Sequence, residues 1–168
     1  MSKRAIRFKM VDAAWVIRAG IRGSGDSYFM NEGIICLNDP GLGDLSQIKP
    51  DRQSFYDAYR VIKPDDTHAG IAGIGGKYYR FVHEMKVGDM VIYPSLRNRG
   101  IYVGEILGKY LFNDLNTQFP HQRKVKWITS FPKDALSKSA QYELGAARTF
   151  FKYKKHINEI LTKVRHAK

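Results

Sequence analysis

Apolar positions along the chain fall into short β-type runs separated by segments of helical period. Three runs lie between Lys86 and Pro132: Met90–Tyr93, Ile101–Leu107 and Lys124–Phe131. Their Val, Ile, Tyr and Trp suit a pleated, half-buried surface, so each predicts a strand. Val87-Gly88-Asp89 predicts the turn that feeds the first run. Arg97-Asn98-Arg99-Gly100 predicts a hairpin, because Asn and Gly tolerate positive φ. Ala13–Ala19, Ile34–Leu37 and Thr149–Tyr153 predict further strands. A helix is predicted over Asp51–Val61, with Phe55, Tyr59 and Ile62 on one face and Pro64 as its breaker. A second runs from Ile71 to Met85, its face set by Ile74, Tyr78, Phe81, Val82 and Met85. A closing helix carries Ile157, Ile160, Leu161 and Val164 on one side and Lys152, Lys155, Lys163 and His166 on the other. Strands interleaved with few helices predict an α+β domain around a small, strongly curved β-barrel flanked by helices.

Two loops interrupt this pattern in an informative way. Gly108 to Arg123 sets Tyr110, Phe112 and Phe119 among Asn, Asp, Thr and Gln. Three aromatics in a polar loop either plug the end of a barrel or present rings to a flat ligand. Gly20-Ile21-Arg22-Gly23-Ser24-Gly25-Asp26 lacks the Gly-Lys-Ser/Thr ending of a phosphate-binding P-loop. Its glycines instead allow a tight turn or the close approach of a ligand.

Length and composition narrow the setting. The 168 residues predict one main domain. Residues 1–12 read as a basic arm, 13–151 as the folded domain, and 152–168 as a basic helix that leads toward an effector domain in a longer protein. No apolar run approaches the ~20 residues that span a bilayer, and the basic start lacks an apolar signal core, so a cytoplasmic protein is expected. Cys36, in an apolar run, reads as a buried small hydrophobe.

Charge changes the picture most. The net charge is +12, and nine of those charges fall between Phe119 and Lys168. Such a surface attracts a polyanion, above all nucleic acid, through counterion release. The alternatives are a solubilising face or an acidic protein partner.

Candidate chemistry is sparse. The five histidines are dispersed and lack cysteine partners, so no metal site is expected. No Gly-x-Ser-x-Gly is present. Asp65 followed by Glu84-Met85-Lys86 has the form of a metal-dependent nuclease signature, but it sits in a proline-broken loop and at a helix end rather than on a strand.

Taken in order, several segments resemble the EVE-type modules of the PUA-like/YTH-like superfamily. These modules stand at the N-terminus of Mrr-like and McrB-like modification-dependent restriction proteins. The segments are Trp15–Gly20, Gly33-Ile34-Ile35, Gly43-Asp44-Leu45-Ser46, Phe81–Val91, the Gly104-Glu105 strand Ile101–Ile106, and Pro120–Ile128 with its His-x-Arg-x-Val-x-Trp pattern. The resemblance implies a PUA-like barrel with a pocket for a flipped, methylated base. Leu37-Asn38 stands where such modules carry a Gly-Trp pair, which shifts stacking to Tyr110, Phe112 or Trp15.

The expected function is therefore a reader of modified DNA without chemistry or cofactor of its own, serving a restriction system. Its nuclease would lie in a fused or partner domain. An RNA reader is the alternative. The expected base pocket comprises Trp15, Arg18, Gly20, Ser24, Asn38, Asp44, Tyr110, Phe112 and Phe119. Arg97, Arg99, Arg123, Lys124, Lys126, Lys152 and Lys155 are expected on the phosphate backbone.

Overall fold

A computed structural model describes Val11 and residues 13–167. Its strands are β1 (Ala14–Ile17), β2 (Ile34–Leu37), β3 (Met90–Pro94), β4 (Gly100–Ile106), β5 (Leu111–Phe112), β6 (His121–Pro132) and β7 (Phe150–Tyr153). They form one sheet in the order β2-β6-β4-β3-β1-β7, with β5 also on β6. β1 and β3 pair in parallel, and the other pairs are antiparallel. The sheet curls strongly into a half-barrel with helices at its flanks. Those helices are α1 (Asp26–Asn31), α2 (Arg52–Ile62), α3 (His68–Tyr79), α4 (Lys138–Leu144) and α5 (Ile157–Arg165).

β1 and β3 read as unbroken apolar runs because both their faces are covered. Trp15, Ile17, Val91 and Tyr93 point into one core with Phe29, Phe55, Tyr78 and Phe81. The alternate residues Ala14, Val16, Met90 and Ile92 enter a second core with Leu144, Phe151, Ile160 and Val164. Helix α5 is thus part of the fold, and the boundary expected at residue 151 falls inside β7. The expected basic arm over residues 1–12 lies outside the described residues except Val11, which packs on the second core.

Capping sets the helix starts. The Asp51 side chain accepts from the Ser54 N–H at 2.8 Å, and Thr67 Oγ1 accepts from the Gly70 N–H at 3.0 Å. The second predicted helix therefore begins before Ile71, at His68. Its end departs from regular geometry: Arg80–Glu84 form a π-turn, closed by Met85 N–H to the Arg80 carbonyl at 2.8 Å.

β5 and α4 have no counterpart among the predicted elements, and β6 begins three residues before the predicted run at Lys124. In the hairpin the positive φ falls on Arg99, at 57°. Asn98 supports it with Oδ1, which accepts from the Gly100 N–H at 2.9 Å. Gly104 serves a close approach within the sheet. It is buried at a bulge, where an added Cβ would lie 2.8 Å from the Trp127 ring.

Candidate nucleic-acid interface

The Gly108–Arg123 loop touches two others near the end of the half-barrel where β2, β5 and β6 pair: Tyr110 reaches the Asp39–Leu45 loop, and Phe119 the loop that begins at Gly20. His121 opens β6 opposite Leu37 of β2 and Phe112 of β5. Its ring is fully buried between Tyr110, stacked at 5.9 Å, and Phe112, tilted at 5.6 Å. The Tyr110 hydroxyl lies 2.8 Å from His121 Nδ1 and accepts from the Leu45 N–H at 3.1 Å. On the other side, Asp39 Oδ1 stands 3.4 Å from His121 Nε2. Asp39 also accepts backbone N–H bonds from Gly41, Leu42 and Gly43. Burial works to raise its carboxyl, but those N–H groups and His121 together hold it below the ordinary carboxylate value.

Phe119 plugs this end. It is buried to 2%, packs edge-on against Tyr28, and crosses Gly20 so closely that a Cβ there would lie 2.8 Å from Cζ. Gly20, with φ of 71°, thus serves a close approach of Phe119 and the Ser24 hydroxyl. Ser24, beside the plug, is exposed, as is Asn38, which follows Leu37 at the end of β2. Asp44 is occupied locally, since its carboxylate accepts from the Ser46 N–H and hydroxyl.

Other predicted residues lie elsewhere. Trp15 is core: it stacks on Phe150 at 4.8 Å, and Nε1 donates to Asp89 at 2.9 Å. Arg18 is a tie, donating to the Leu144, Ala146 and Arg148 carbonyls. Arg123 is corrected from a phosphate contact to a buried strut. It donates to the carbonyls of Phe81, Val82 and Gly108, two of them in the π-turn. Arg97 reaches buried Asp26 at 3.4 Å, and Arg99 is exposed. Lys124 and Lys126 are exposed on β6, separated by β4, β3 and β1 from Lys152 on β7. The Glu84 of the nuclease-like signature pairs with Arg52. Among the described residues no three His, Cys, Asp or Glu gather as a metal site. Nor is any described helix long and apolar enough to cross a membrane.

The free cations gather instead around α4 and β7. Two cavities there, of about 710 Å³ and about 940 Å³, are lined by Lys133, Lys138, Arg148, Lys152, Lys154 and Lys155. The acid among their lining residues is Glu143, whose carboxylate is engaged by the backbone N–H groups of Lys155 and His156. Lys152 Nζ also sits 4.9 Å over the Trp15 ring.

Sequence reasoning missed this gathering because the apolar pattern carries no signal for α4. It also passed over Asp39 and Lys77. The Asp39-Pro40-Gly41 string is a signal for a carboxylate that caps its own loop. Lys77 lies over the Tyr78 ring at 4.6 Å, and burial, with Arg80 nearby, brings its amine down to about 8.

A family model matches residues 15–152, from β1 into β7. The chain belongs to DUF8426, a domain of unknown function. No curated protein matches the DUF8426 chain by sequence.

Proposed function

We propose that this DUF8426 domain is a nucleic-acid reader, for DNA in the first place, of the EVE type with a PUA-like barrel. The observation that carries the reading is the group of six cations around α4 and β7, which faces one acid already engaged by the backbone. Phosphates neutralise such a surface and release counterions, a strong term that carries no sequence information.

Base discrimination is assigned to the loop end. Phe112 offers a half-buried ring, and Asn38 an exposed amide that both donates and accepts. A flipped base enters there only if Phe119 gives way, so the plug becomes the gate of the pocket. Extrusion costs a few kcal/mol, and stacking with edge hydrogen bonds must offset it. The domain has no chemistry of its own in this reading. Cleavage belongs to a fused or associated nuclease of a cytoplasmic restriction system.

The test is binding of matched duplexes, unmodified, 5-methylcytosine and N6-methyladenine, at two salt concentrations. A preference for one modified duplex that survives higher salt and is lost in Phe112→Ala supports the reading. Equal, steeply salt-dependent binding to all three would remove the base pocket and leave only the basic face. A matched RNA competitor that displaces DNA at lower concentration would move the substrate to RNA.

A further inference from the structure

Helix α4 was invisible in the apolar pattern, yet its placement exposes one aromatic side chain in the middle of the cations. Ala140 and Leu144, four residues apart, are buried, so Tyr142 between them points outward. It is 87% exposed. The helix that carries it is fixed on several sides. Ser137 caps its first turn and is held in turn by Glu159. Tyr153 donates to the Ala140 carbonyl at 3.2 Å, and Arg18 to the Leu144 carbonyl at 2.9 Å. What sets Tyr142 apart from other exposed side chains is its place: an aromatic face on an anchored helix, among cations.

Both cavities share Tyr142, Lys138, Lys152 and the backbone-engaged Glu143 in their walls. The ring is therefore a ridge between two basic hollows, with Arg148 and Lys133 on one side and Lys154 and Lys155 on the other. A flat, uncharged ring flanked by cations on both sides matches a nucleotide chain: base on the ring, phosphates before and after it. A paired base inside a duplex has both faces covered by its neighbours and cannot stack on a protein side chain. An unpaired base can, and every base offers a π-face.

We infer that the α4–β7 face is a binding site for single-stranded nucleic acid, with one unpaired base stacked on Tyr142 and the flanking phosphates held by Lys152 and Lys155. This rests on the nucleic-acid reading above for its class of partner, and it concerns a surface distinct from the Phe119 loop end. It gives the domain a grip on the strand beside a flipped or melted base.

The experiment measures anisotropy of labelled short oligothymidine, oligouridine and a mixed-sequence duplex with the whole chain, across a salt series. Tyr142 touches solvent, so Tyr142→Ala is expected to leave thermal unfolding unchanged. It should weaken single-strand binding about tenfold, leave the salt slope and duplex binding as they were, and be rescued by Tyr142→Trp. Lys152→Gln with Lys155→Gln should instead flatten the single-strand slope by about 1.4. If Tyr142→Ala binds single strands like the wild type, or weakens duplex and single strand alike, the stacking site is overturned while the basic face stands. If no nucleic acid binds at all, both readings fall.

Discussion

The Tyr110 hydroxyl lies 2.8 Å from Nδ1 of His121, with the two rings stacked. Because the hydroxyl oxygen accepts from the Leu45 N–H, its own proton is free to go to Nδ1. Nε2 then carries the imidazole hydrogen, with the Asp39 carboxylate 3.4 Å away as a neighbouring charge but outside hydrogen-bond geometry. One buried ring thus joins β6, the loop that bears Tyr110, and the Asp39–Leu45 loop. Tyr110→Phe keeps the stack but leaves Nδ1 buried without a partner. The expected cost is about 1–3 kcal/mol, read as a fall in the urea midpoint at unchanged slope. A variant as stable as the parent would show that this bond does not hold the loops.

Stability should fall with pH earlier than carboxylates alone would make it. His83 and His121 are both held below the ordinary histidine value, by burial first. Arg123 adds to this at His83, while at His121 the pull of Asp39 and Asp44 opposes burial and Lys77 assists it. The unfolded chain therefore takes up these protons more readily than the fold does. Their contribution is fully present above about pH 6.5 and is lost as pH falls through the lower folded values. Asp39, held below its ordinary 3.8, adds a second loss only in stronger acid. Urea midpoints should decline as pH drops from about 6.5, and His83→Gln should shrink that decline. A flat profile down to about pH 5 would contradict the assignment.

How far the fold was legible depended on whether a residue's role is local. The runs at Ile34–Leu37 and Met90–Tyr93 announce strands because a short, unbroken apolar run with β-branched residues is a local signal. Asp51 likewise stands at a helix start by short-range capping, whereas the apolar pattern leaves out the Thr67 cap and gives the second helix only from Ile71. Arg123 and Trp15 misled because exposure is not local. A guanidinium in a basic segment reads as a surface charge until the π-turn carbonyls that it satisfies come into view. Of the two readings of the aromatic loop, Phe119 takes the plug, since only the fold brings Gly20 beneath it. Tyr142 could be singled out only once the phase of α4 was known.

The contact between Gly20 and Phe119 makes a separable prediction. Gly20→Ala meets three obstacles: a φ of 71°, the Ser24 hydroxyl at 2.7 Å, which can rotate away, and a Phe119 ring carbon 2.8 Å from the new Cβ. Phe119→Leu removes the ring but not the backbone strain. Gly20→Ala alone should cost on the order of 1–3 kcal/mol, and the double variant less than the sum of the singles. Strict additivity by chemical denaturation would mean that the ring does not rest on Gly20. If Phe119 is also the gate of the base pocket, Phe119→Leu should change discrimination between modified and unmodified duplexes more than it changes total affinity.

Arg123 and Lys155 carry the same formal charge and should answer opposite experiments. The Arg123 guanidinium is buried and spends its donors on the Phe81, Val82 and Gly108 carbonyls, two of which the π-turn leaves available. Replacing it by Met fills the space but strands those acceptors, at an expected cost on the order of 3 kcal/mol. While the variant remains folded, its salt slope for DNA should equal that of the parent, because no phosphate reaches that charge. Lys155 is exposed on the α4–β7 face, where its backbone N–H rather than its ammonium is engaged. Lys155→Gln should leave unfolding within about 0.5 kcal/mol of the parent and flatten the duplex salt slope by about 0.9. A flattened slope in Arg123→Met would return that residue to the interface, and an unchanged slope in Lys155→Gln would take the phosphate backbone away from β7.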